Sequence, residues 1–436
     1  MGGLKSACAS LHLILTFRVT PVALSPPVIF FNSGSTLHTM TVPTIAIVGA
    51  GPCGLTLARL LEGKGIDYVF YERDTAPECN RTGGSLDIQA KTGQRALREC
   101  GLFGRFIQSA RYDDTVFAIA DHTGQQFLEI GQGRDAPEID RAELRQLLLD
   151  SVPEQKIKWG HVLESATLDN DNRPILRFAD GGIMSGFRLV VGADGAWSKI
   201  RPVVRQPSPL VTTDKVQVGL YIAQVTQAVP KYTGKSIIVS SIRHDNPAYE
   251  RIANSVKAGS SLSIGSGKYI MVQRQGDGLY RISFGLQARE QDFGRHGPVD
   301  VRDTEATRHL LLSQFFADWS EHHKDIIRRS TSFRAWTLHS LSPEDMSWQS
   351  VPGVTLAGDA AHLSYPGGEG VNLAMSDALK LASKLAEHGV DNIGQAVQTY
   401  EEDMFSRAIA AMKDSNAMEG VMYSDDPRAF IELICS

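Results

Sequence analysis

Three glycines near residue 50 have the spacing that binds the phosphates of a dinucleotide. The apolar run 45–48 leads into Gly49, Gly51 and Gly54, in the pattern G-x-G-x-x-G. Between a strand and a helix, the first glycine permits a tight turn and the second admits backbone N–H groups to a pyrophosphate. The third lets the helix pack closely on the strand. The pattern therefore predicts phosphates at the positive end of a helix dipole, where the first strand ends.

Two carboxylates are placed to hold the rest of such a ligand. Glu72 follows the next apolar run, 68–71, at the separation from the glycines expected of a carboxylate that binds the adenosine ribose. Far downstream, the apolar run 354–357 leads to Gly358 and Asp359. If both runs are strands of one sheet, Asp359 lies beside the glycine turn, where it can accept bonds from a sugar-alcohol chain. FAD has such a ribityl chain and NAD lacks one, so the two motifs together favour FAD.

Apolar periodicity predicts the elements that position these motifs. Leu57, Leu60 and Leu61 give the helix after the glycine turn an apolar side, and Gly65 is placed to end it. Further helices are predicted over residues 141–151 and 371–387, and the stretch 395–436 is predicted to be helical as well.

The texture of the sequence changes between residues 205 and 335. Short alternating runs there predict an antiparallel sheet with one face toward the ligand and one face in solvent. The runs are 216–225, 236–241, 261–264, 269–273 and 279–286. We interpret this sheet as the part that binds the substrate.

Composition and charge exclude several classes of protein. The chain has 436 residues, enough for two domains, and a formal net charge of -5. Because it carries no basic stripe, a nucleic-acid partner is not expected. Its five cysteines form no C-x-x-C pair and no metal-ligand spacing, so we expect free thiols and no metal. We predict a cytoplasmic protein, a monomer or a weak dimer, with no membrane partner.

Five blocks of the sequence, taken together and in order, resemble the class A FAD-dependent aromatic hydroxylases, the para-hydroxybenzoate hydroxylase class. The resemblance spans about residues 43–430 and is closest to the tetracycline-inactivating flavin monooxygenases. The blocks are the glycine turn with Glu72-Arg73, residues 81–87 (RTGGSLD), residues 139–145 (IDRAELR), residues 191–201 around Asp194-Gly195, and Gly358-Asp359 continuing to Asn372.

The resemblance implies an α/β fold. We expect a Rossmann-like FAD-binding domain of the GR2 type, an inserted antiparallel β-sheet substrate domain and a C-terminal helix that spans both. The FAD-binding domain would comprise residues 41–204 and 336–394, the substrate domain 205–335 and the helical segment 395–436. Residues 399–416 are the predicted position of the helix that spans both domains. Residues 1–40 hold short apolar runs that prolines interrupt, too short to cross a membrane. We interpret them as a leader that is disordered or absent from the mature enzyme, and a targeting segment is the alternative.

The resemblance also implies roles for individual residues. The predicted cofactor-binding residues are Gly49, Gly51, Gly54, Glu72, Arg73, Asp87, Arg141, Asp359, Gly370 and Asn372. The loop of Pro366, Gly367 and Gly368 would lie near the flavin. Arg81 is a candidate contact of NADPH, although the antibiotic-inactivating relatives carry that arginine one residue earlier, where this chain has Asn80. His362 is expected to pack and bond locally rather than to act as a base.

The chemistry that the resemblance implies is carried by the cofactor. NADPH, a transient co-substrate, would reduce FAD; O2 would add to form a flavin C4a-hydroperoxide that oxygenates a phenolic or polyketide-like aromatic. The strands between 261 and 286 lack the arginine and histidine that contact the drug in the antibiotic-inactivating relatives, and the nearest positions hold Ser260 and Arg281. Tetracycline is therefore not supported as the substrate. The alternatives are a flavin oxidase or dehydrogenase of secondary metabolism and a non-catalytic carrier on the same fold.

Overall fold

The computed structural model describes residues 42–79, 83–112, 116–130, 135–204, 228–256, 259–293 and 298–436. Its strands, in chain order, are β1 (Ile45–Val48), β2 (Tyr68–Tyr71), β3 (Ser85–Asp87), β4 (Phe117–Asp121), β5 (Gln126–Ile130), β6 (Glu138–Asp140), β7 (Ile157–Lys158), β8 (Leu163–Leu168), β9 (Pro174–Phe178), β10 (Ile183–Ser185), β11 (Leu189–Gly192), β12 (Lys231–Ile242), β13 (Ser260–Gly265), β14 (Lys268–Arg274), β15 (Tyr280–Gln287), β16 (Thr331–Ser340) and β17 (Val354–Leu356).

The α-helices in the same residues are α1 (Pro52–Gly63), α2 (Gly93–Glu99), α3 (Phe103–Ser109), α4 (Arg141–Leu149), α5 (Arg201–Val204), α6 (Tyr249–Val256), α7 (Thr304–Leu310), α8 (Glu321–Arg329), α9 (Asp359–His362), α10 (Gly370–His388), α11 (Ile393–Met422) and α12 (Arg428–Cys435). None of these helices combines the length and the apolar character needed to cross a membrane.

A five-stranded parallel sheet carries the glycine turn. Its strand order is β17-β11-β1-β2-β7, so the strands that precede Gly49 and Gly358 belong to one sheet, with β11 between them. This meets the condition under which the sequence placed Asp359 beside the glycine turn. Strands β1, β2 and β11 are buried along their whole length, because helices cover both faces of a parallel sheet. All loops that follow the strands emerge at one edge, and this brings the predicted motifs together.

A seven-stranded sheet forms the second layer, in the order β16-β12-β15-β14-β13-β4-β5. The predicted runs at 236–241, 261–264, 269–273 and 279–286 are strands here, and the run 216–225 lies outside the described residues. Two further strands, β4 and β5, come from the chain before residue 205, and β4 pairs parallel to β13. The sheet is therefore mixed at this edge, where its last two strands return from an earlier part of the chain.

Both faces of the seven-stranded sheet contact other parts of the protein. Along β15, Tyr280, Ile282, Phe284 and Leu286 are buried in a core that includes residues of α6 and α8. The prediction that one face lies in solvent is wrong, because helices cover it. The opposite face, which holds Arg281, is turned toward the glycine-rich elements.

Helix α11 contacts both sheets. It is longer than the predicted segment 399–416. Near its start, Glu401 accepts a hydrogen bond of 2.7 Å from Thr355 of β17. Near its end, Met422 packs in a small core with Leu262 and Tyr269 of the seven-stranded sheet. One straight element therefore ties the two layers together.

Candidate functional site

The glycine turn has two positions where a side chain cannot fit. Gly49 has a φ of 107°, and a Cβ atom there would lie 2.4 Å from the carbonyl oxygen of Ala193. A Cβ atom on Gly54 would lie 2.2 Å from the carbonyl oxygen of Gly49. These are the close approaches expected of a tight turn and of a helix that packs directly on its strand.

Gly51, by contrast, faces open space. No atom lies within 4 Å of the position its Cβ would take. It is the N-cap of α1, and no side chain caps that helix end. The first-turn amides of a helix need an external acceptor. The turn is therefore shaped and charged to receive an anion.

Glu72 is buried and supports the turn. Its carboxylate accepts hydrogen bonds from the backbone N–H of Ala50 and, at 2.9 Å, from that of Asp74. Arg73 beside it is exposed. The Glu72 carboxylate therefore holds the glycine turn after β1 against the loop after β2.

Arg145 is a supporting residue that the sequence analysis quoted in a motif without giving it a role. Its guanidinium bonds the carbonyl oxygen of Pro77 at 2.9 Å and that of Ala50 at 3.3 Å, and it pairs with Asp74 at 3.2 Å. It lies one helical turn after Arg141 on α4, and this spacing is the only sequence signal that could have found it.

The Gly358–Asp359 turn lies next to α1. A Cβ atom on Gly358 would lie 3.3 Å from Cβ of Cys53, so the two glycine-containing turns are in contact. Asp359 is exposed to the space between them. Arg141 is close enough for the charge of Asp359 to act on it: the surrounding protein lowers the pKa of its guanidinium, and Asp359 partly opposes that shift.

Arg201 clamps this turn from the side of β11. Its guanidinium donates to the carbonyl oxygens of Ala360, at 2.7 Å, and Asp359, at 3.0 Å. The side chain is buried, and burial lowers its pKa, while Asp194 and Asp359 raise it. The Asp194-Gly195 block therefore provides, through Arg201, a contact that fixes the backbone of Asp359.

Gly83 and Gly84 explain the paired glycines of the second block. A Cβ atom on Gly83 would lie 2.6 Å from Cδ of Arg141, and one on Gly84 would lie 3.2 Å from Cδ of Arg281. Two consecutive residues without side chains thus leave room for two arginines. One arginine comes from α4 beside the parallel sheet and the other from β15, so the two layers meet here.

Arg281 is accompanied by a second arginine. Arg281 lies opposite Ser241 of β12, and Arg334 lies opposite Val239 of the same strand. Residues two apart on a strand share a face, as do directly opposed residues, so both arginines are on the face that meets Gly84. Burial lowers the pKa of Arg281, and Arg141 and Arg334 lower it further.

The residues that follow the Asp359 turn have varied settings. Pro366 is exposed, and Gly367 packs near Ser415 of α11. Gly368 has a φ of 97°, and Gly370, at the start of α10, faces open space. These residues follow the Asp359 turn in the chain and lead to the N-terminus of α10.

Asn372 is fully buried and joins α10 to β3. Its amide nitrogen donates to the carbonyl oxygen of Asp87 at 2.8 Å, and its amide oxygen accepts from the N–H of Gln89 at 2.9 Å. Its contacts within the described residues are with backbone. Arg81 and Asn80 lie outside the described residues.

Comparison with known proteins decides the family. Residues 41–415 match the FAD binding domain family. The chain belongs to this family. It is 30% identical over 434 residues to the monooxygenase asqM of Emericella nidulans, covering 85% of this chain and 93% of that protein. It is 29% identical to the monooxygenase penA of Penicillium thymicola, with coverage of 85% and 93%.

Solved structures share the fold of this FAD-binding protein. Klebsiella pneumoniae HpxO, complexed with FAD and uric acid, superposes with a TM-score of 0.69 at 20% identity, over 90% of this chain and 93% of that chain. The tetracycline destructase Tet(55) gives a TM-score of 0.66 at 18% identity, over 88% and 91%. The fold predicted from the sequence is confirmed. The protein is an FAD-dependent monooxygenase, an oxidoreductase of the class A aromatic type.

The residues present fit FAD. The open space at Gly51, the uncapped start of α1 and the exposed carboxylate of Asp359 supply a cradle, hydrogen-bond donors and an acceptor within one region. Among the described residues, no cluster of three or more histidine, cysteine or acidic side chains is arranged to hold a metal ion.

Proposed function

We propose that this monooxygenase uses NADPH and O2 to oxygenate a flat, acidic aromatic molecule, of phenolic or polyketide type, in the space between the Asp359 turn and the seven-stranded sheet. The observation that carries the proposal is the contact of Gly83 and Gly84 with Arg141 and Arg281. The glycine-containing turns lie on one side of this region and two sheet arginines on the other, so the region carries positive charge that would attract such a substrate.

The cofactor roles follow from the geometry of the turns. The amides around Gly49, Gly51 and Gly54 would bind the pyrophosphate, and Asp359 would accept bonds from the ribityl chain. Glu72, with Arg73 beside it, would hold the adenosine ribose, since two of its acceptor positions are used by backbone and others are left.

The flavin ring would lie between the two halves of the cleft. Arg141 and the loop from Pro366 to Gly370 would flank it, while Asp87 and Asn372 would keep β3 against α10. When bound, FAD supplies the redox chemistry: it takes electrons from NADPH and activates O2 for transfer to the substrate. The protein positions the reactants, excludes water and stabilises negative charge.

The sheet arginines favour an anionic substrate. Arg281 and Arg334 lie on one face of the seven-stranded sheet. Arg141 lies beside them, and the negative charge of Asp359 acts on it. A phenol or enol bound there would ionise more readily, because nearby positive charge stabilises its conjugate base. Ionisation makes the ring carbon richer in electrons and so more reactive toward oxygen transfer. Trp336, 53% exposed and on the same face as Arg334, offers a flat surface for the ring.

An anaerobic titration tests the reaction. Visible spectra of the full chain are recorded before and after NADPH is added, with and without a panel of acidic aromatics. Bleaching of the flavin by NADPH and recovery in air, with oxygen uptake coupled to a hydroxylated product, would support the proposal. A flavin that NADPH leaves oxidised under every condition would favour the oxidase, and a chain that binds no flavin would favour the carrier.

A substitution at Arg281 tests the substrate class. For an aromatic acid and its neutral methyl ester, the Arg281→Gln variant should raise KM for the acid by about tenfold and change KM for the ester little, as expected for the loss of one charge-assisted hydrogen bond. Arg328→Gln is the matched control, because Arg328 pairs with Glu321 on the outer surface of α8. Equal effects on acid and ester would contradict the assignment.

A monomeric or weakly dimeric state, a cytoplasmic location and the lack of nucleic-acid or membrane partners stay predictions. Native mass measurement and fractionation of the expressing cells would test them.

A further inference from the structure

A buried carboxylate lies directly beneath the Gly358–Asp359 turn. Gly358 has a φ of 61°, and its backbone N–H donates to Oδ2 of Asp377 at 2.9 Å. Asp377 is fully buried on α10. Since Arg201 holds the carbonyl side of the same turn, the backbone that presents Asp359 is fixed from both sides.

Two basic side chains from other elements share this carboxylate. His362, at the end of α9, lies with Nε2 2.5 Å from Oδ2 of Asp377, and Nη1 of Arg407 on α11 donates to Oδ1 at 2.9 Å. Arg407 also donates from Nε to Asp403, at 2.8 Å. A buried carboxylate with no partner would be strongly destabilising, whereas this one has three donors from three separate elements.

Helix α11 touches the turn segment at a second point. About two and three turns beyond Arg407, Ser415 and Met418 lie against Gly367: a Cβ atom there would be 3.5 Å from Oγ of Ser415 and 3.7 Å from Cβ of Met418. Ser415 also bonds Ser364, with 3.4 Å between the two hydroxyl oxygens. The helix therefore contacts the end of the segment 358–367 directly and is linked to its start through Asp377.

We propose that His362, Asp377 and Arg407 form a positioning relay that holds the Gly358–Asp359 turn in its FAD-binding conformation and links that turn to α11. None of the three side chains needs to touch the cofactor. The relay acts through the backbone of Gly358, so its loss weakens FAD binding rather than a step of the reaction. The inference rests on the proposed role of Asp359 toward FAD.

The chain contains a matched control for this proposal. Glu401 is also on α11, is 1% exposed and accepts hydrogen bonds from Thr355, at 2.7 Å, and Trp348, at 3.1 Å. It too is a buried carboxylate under β17. Among the described residues, the side chains that donate hydrogen bonds to it lie outside the Gly358–Asp359 turn. Its loss reports what removal of any such carboxylate does to stability.

The experiment measures FAD affinity and thermal unfolding separately. Apoprotein of the full chain is prepared as wild type, Asp377→Asn, Arg407→Gln, Arg407→Lys and Glu401→Gln, and FAD is titrated while flavin fluorescence is followed. Asp377→Asn and Arg407→Gln should weaken FAD binding by about tenfold or more, as expected when a hydrogen bond to a charged group is lost. Arg407→Lys should recover part of that loss. Glu401→Gln should lower Tm but leave FAD affinity near that of the wild type.

The outcomes separate this proposal from the proposed function. A loss of affinity below about threefold in the folded variants, or an equal loss in Glu401→Gln, would overturn the relay while leaving FAD binding intact. If Asp377→Asn does not fold, Arg407→Gln decides by the same criterion, because Arg407 is at the edge of the network with its side chain 23% exposed. A wild-type chain that binds no FAD would overturn the proposed function and the relay with it.

Discussion

His362 beneath the Gly358–Asp359 turn and His323 beneath the seven-stranded sheet are equally buried, at 3% exposed each, yet their pKa values are shifted in opposite directions. For His362, burial disfavours the imidazolium, but Asp377 and then Asp359 raise its pKa above the usual value. For His323, burial and the neighbouring His322 lower the pKa to about 4. Its ring nitrogens lie 2.9 Å from the hydroxyls of Ser320 and Ser263.

The difference teaches that burial alone does not set the charge of a histidine. Around the Gly358–Asp359 turn, the buried side chains of Asp377 and Arg201 hold the backbone in place by directional, charge-assisted hydrogen bonds. Behind the sheet, His323 lies between hydroxyls and next to Trp319, where burial and His322 outweigh the opposing charge of Asp121 and lower its pKa. The first region is organised to present a turn to a ligand and the second to support a core.

The largest expected effect concerns the cofactor region alone. Asp359→Ala should lose bound FAD while the apoprotein stays folded, because the carboxylate is exposed and its removal creates no cavity in the core. The free energy of unfolding of the apoprotein should change by roughly 0.5 kcal/mol or less, as for other surface substitutions. Flavin absorbance after gel filtration and urea unfolding measure the two effects. The control is Asp391→Ala, an exposed carboxylate paired with Arg188. A variant of Asp359 with full flavin content would contradict the placement of this carboxylate.

The next effect is acid destabilisation through His323. Because its pKa is lower in the folded chain than its usual 6.5, the unfolded chain binds the proton first, and stability is lost as the pH falls from 6.5 through about 4. The loss amounts to about 3 kcal/mol at 1.36 kcal/mol for each pKa unit. Urea unfolding at a series of pH values, for wild type and His323→Gln, measures it. The two slopes should differ over this window, and parallel slopes would show that His323 is not held neutral.

The smallest effect expected is on the alkaline side, through His362. Its raised pKa means that its stabilisation is complete below pH 6.5 and is lost as the pH rises through the folded value. Unfolding of wild type and His362→Gln above pH 6.5 measures this slope, which the variant should lack. The ionisable groups that act on this site are Asp377, Asp359, Arg407, Cys53 and Tyr400. If the stability of the wild type rose with pH in this window relative to that of the variant, the raised pKa assigned to His362 would be wrong.

Several elements of the fold and site were predictable from local rules. Gly49 and Gly54 stand where a Cβ atom would overlap backbone, so their positions in the sequence report the turn directly. The buried strands that precede Gly49 and Gly358 are continuous apolar runs, as strands of a parallel sheet are.

Other features depended on the rest of the chain. Most residues of β4 are half-buried, so the strand has no clear alternation of buried and exposed side chains. Its sequence therefore did not indicate that it pairs with β13. Likewise, Arg201 bonds carbonyl groups about 160 residues away, and nothing in its local sequence announces them.

The sequence by itself predicted the glycine turn and the acidic residues that follow the strands, because backbone limits and apolar periodicity are local properties of residue types. The family was predicted from the resemblance of five sequence blocks to known proteins, and the comparisons confirm it. The tertiary structure alone decided which face of the sheet meets Gly84, that Arg281 is the residue that meets it, and that the pKa of His362 is raised while that of His323 is lowered. The physical reason is that burial and electrostatic environment are set by neighbours distant in sequence. A residue's type fixes what it can do, and its neighbours in the fold fix which of these it does.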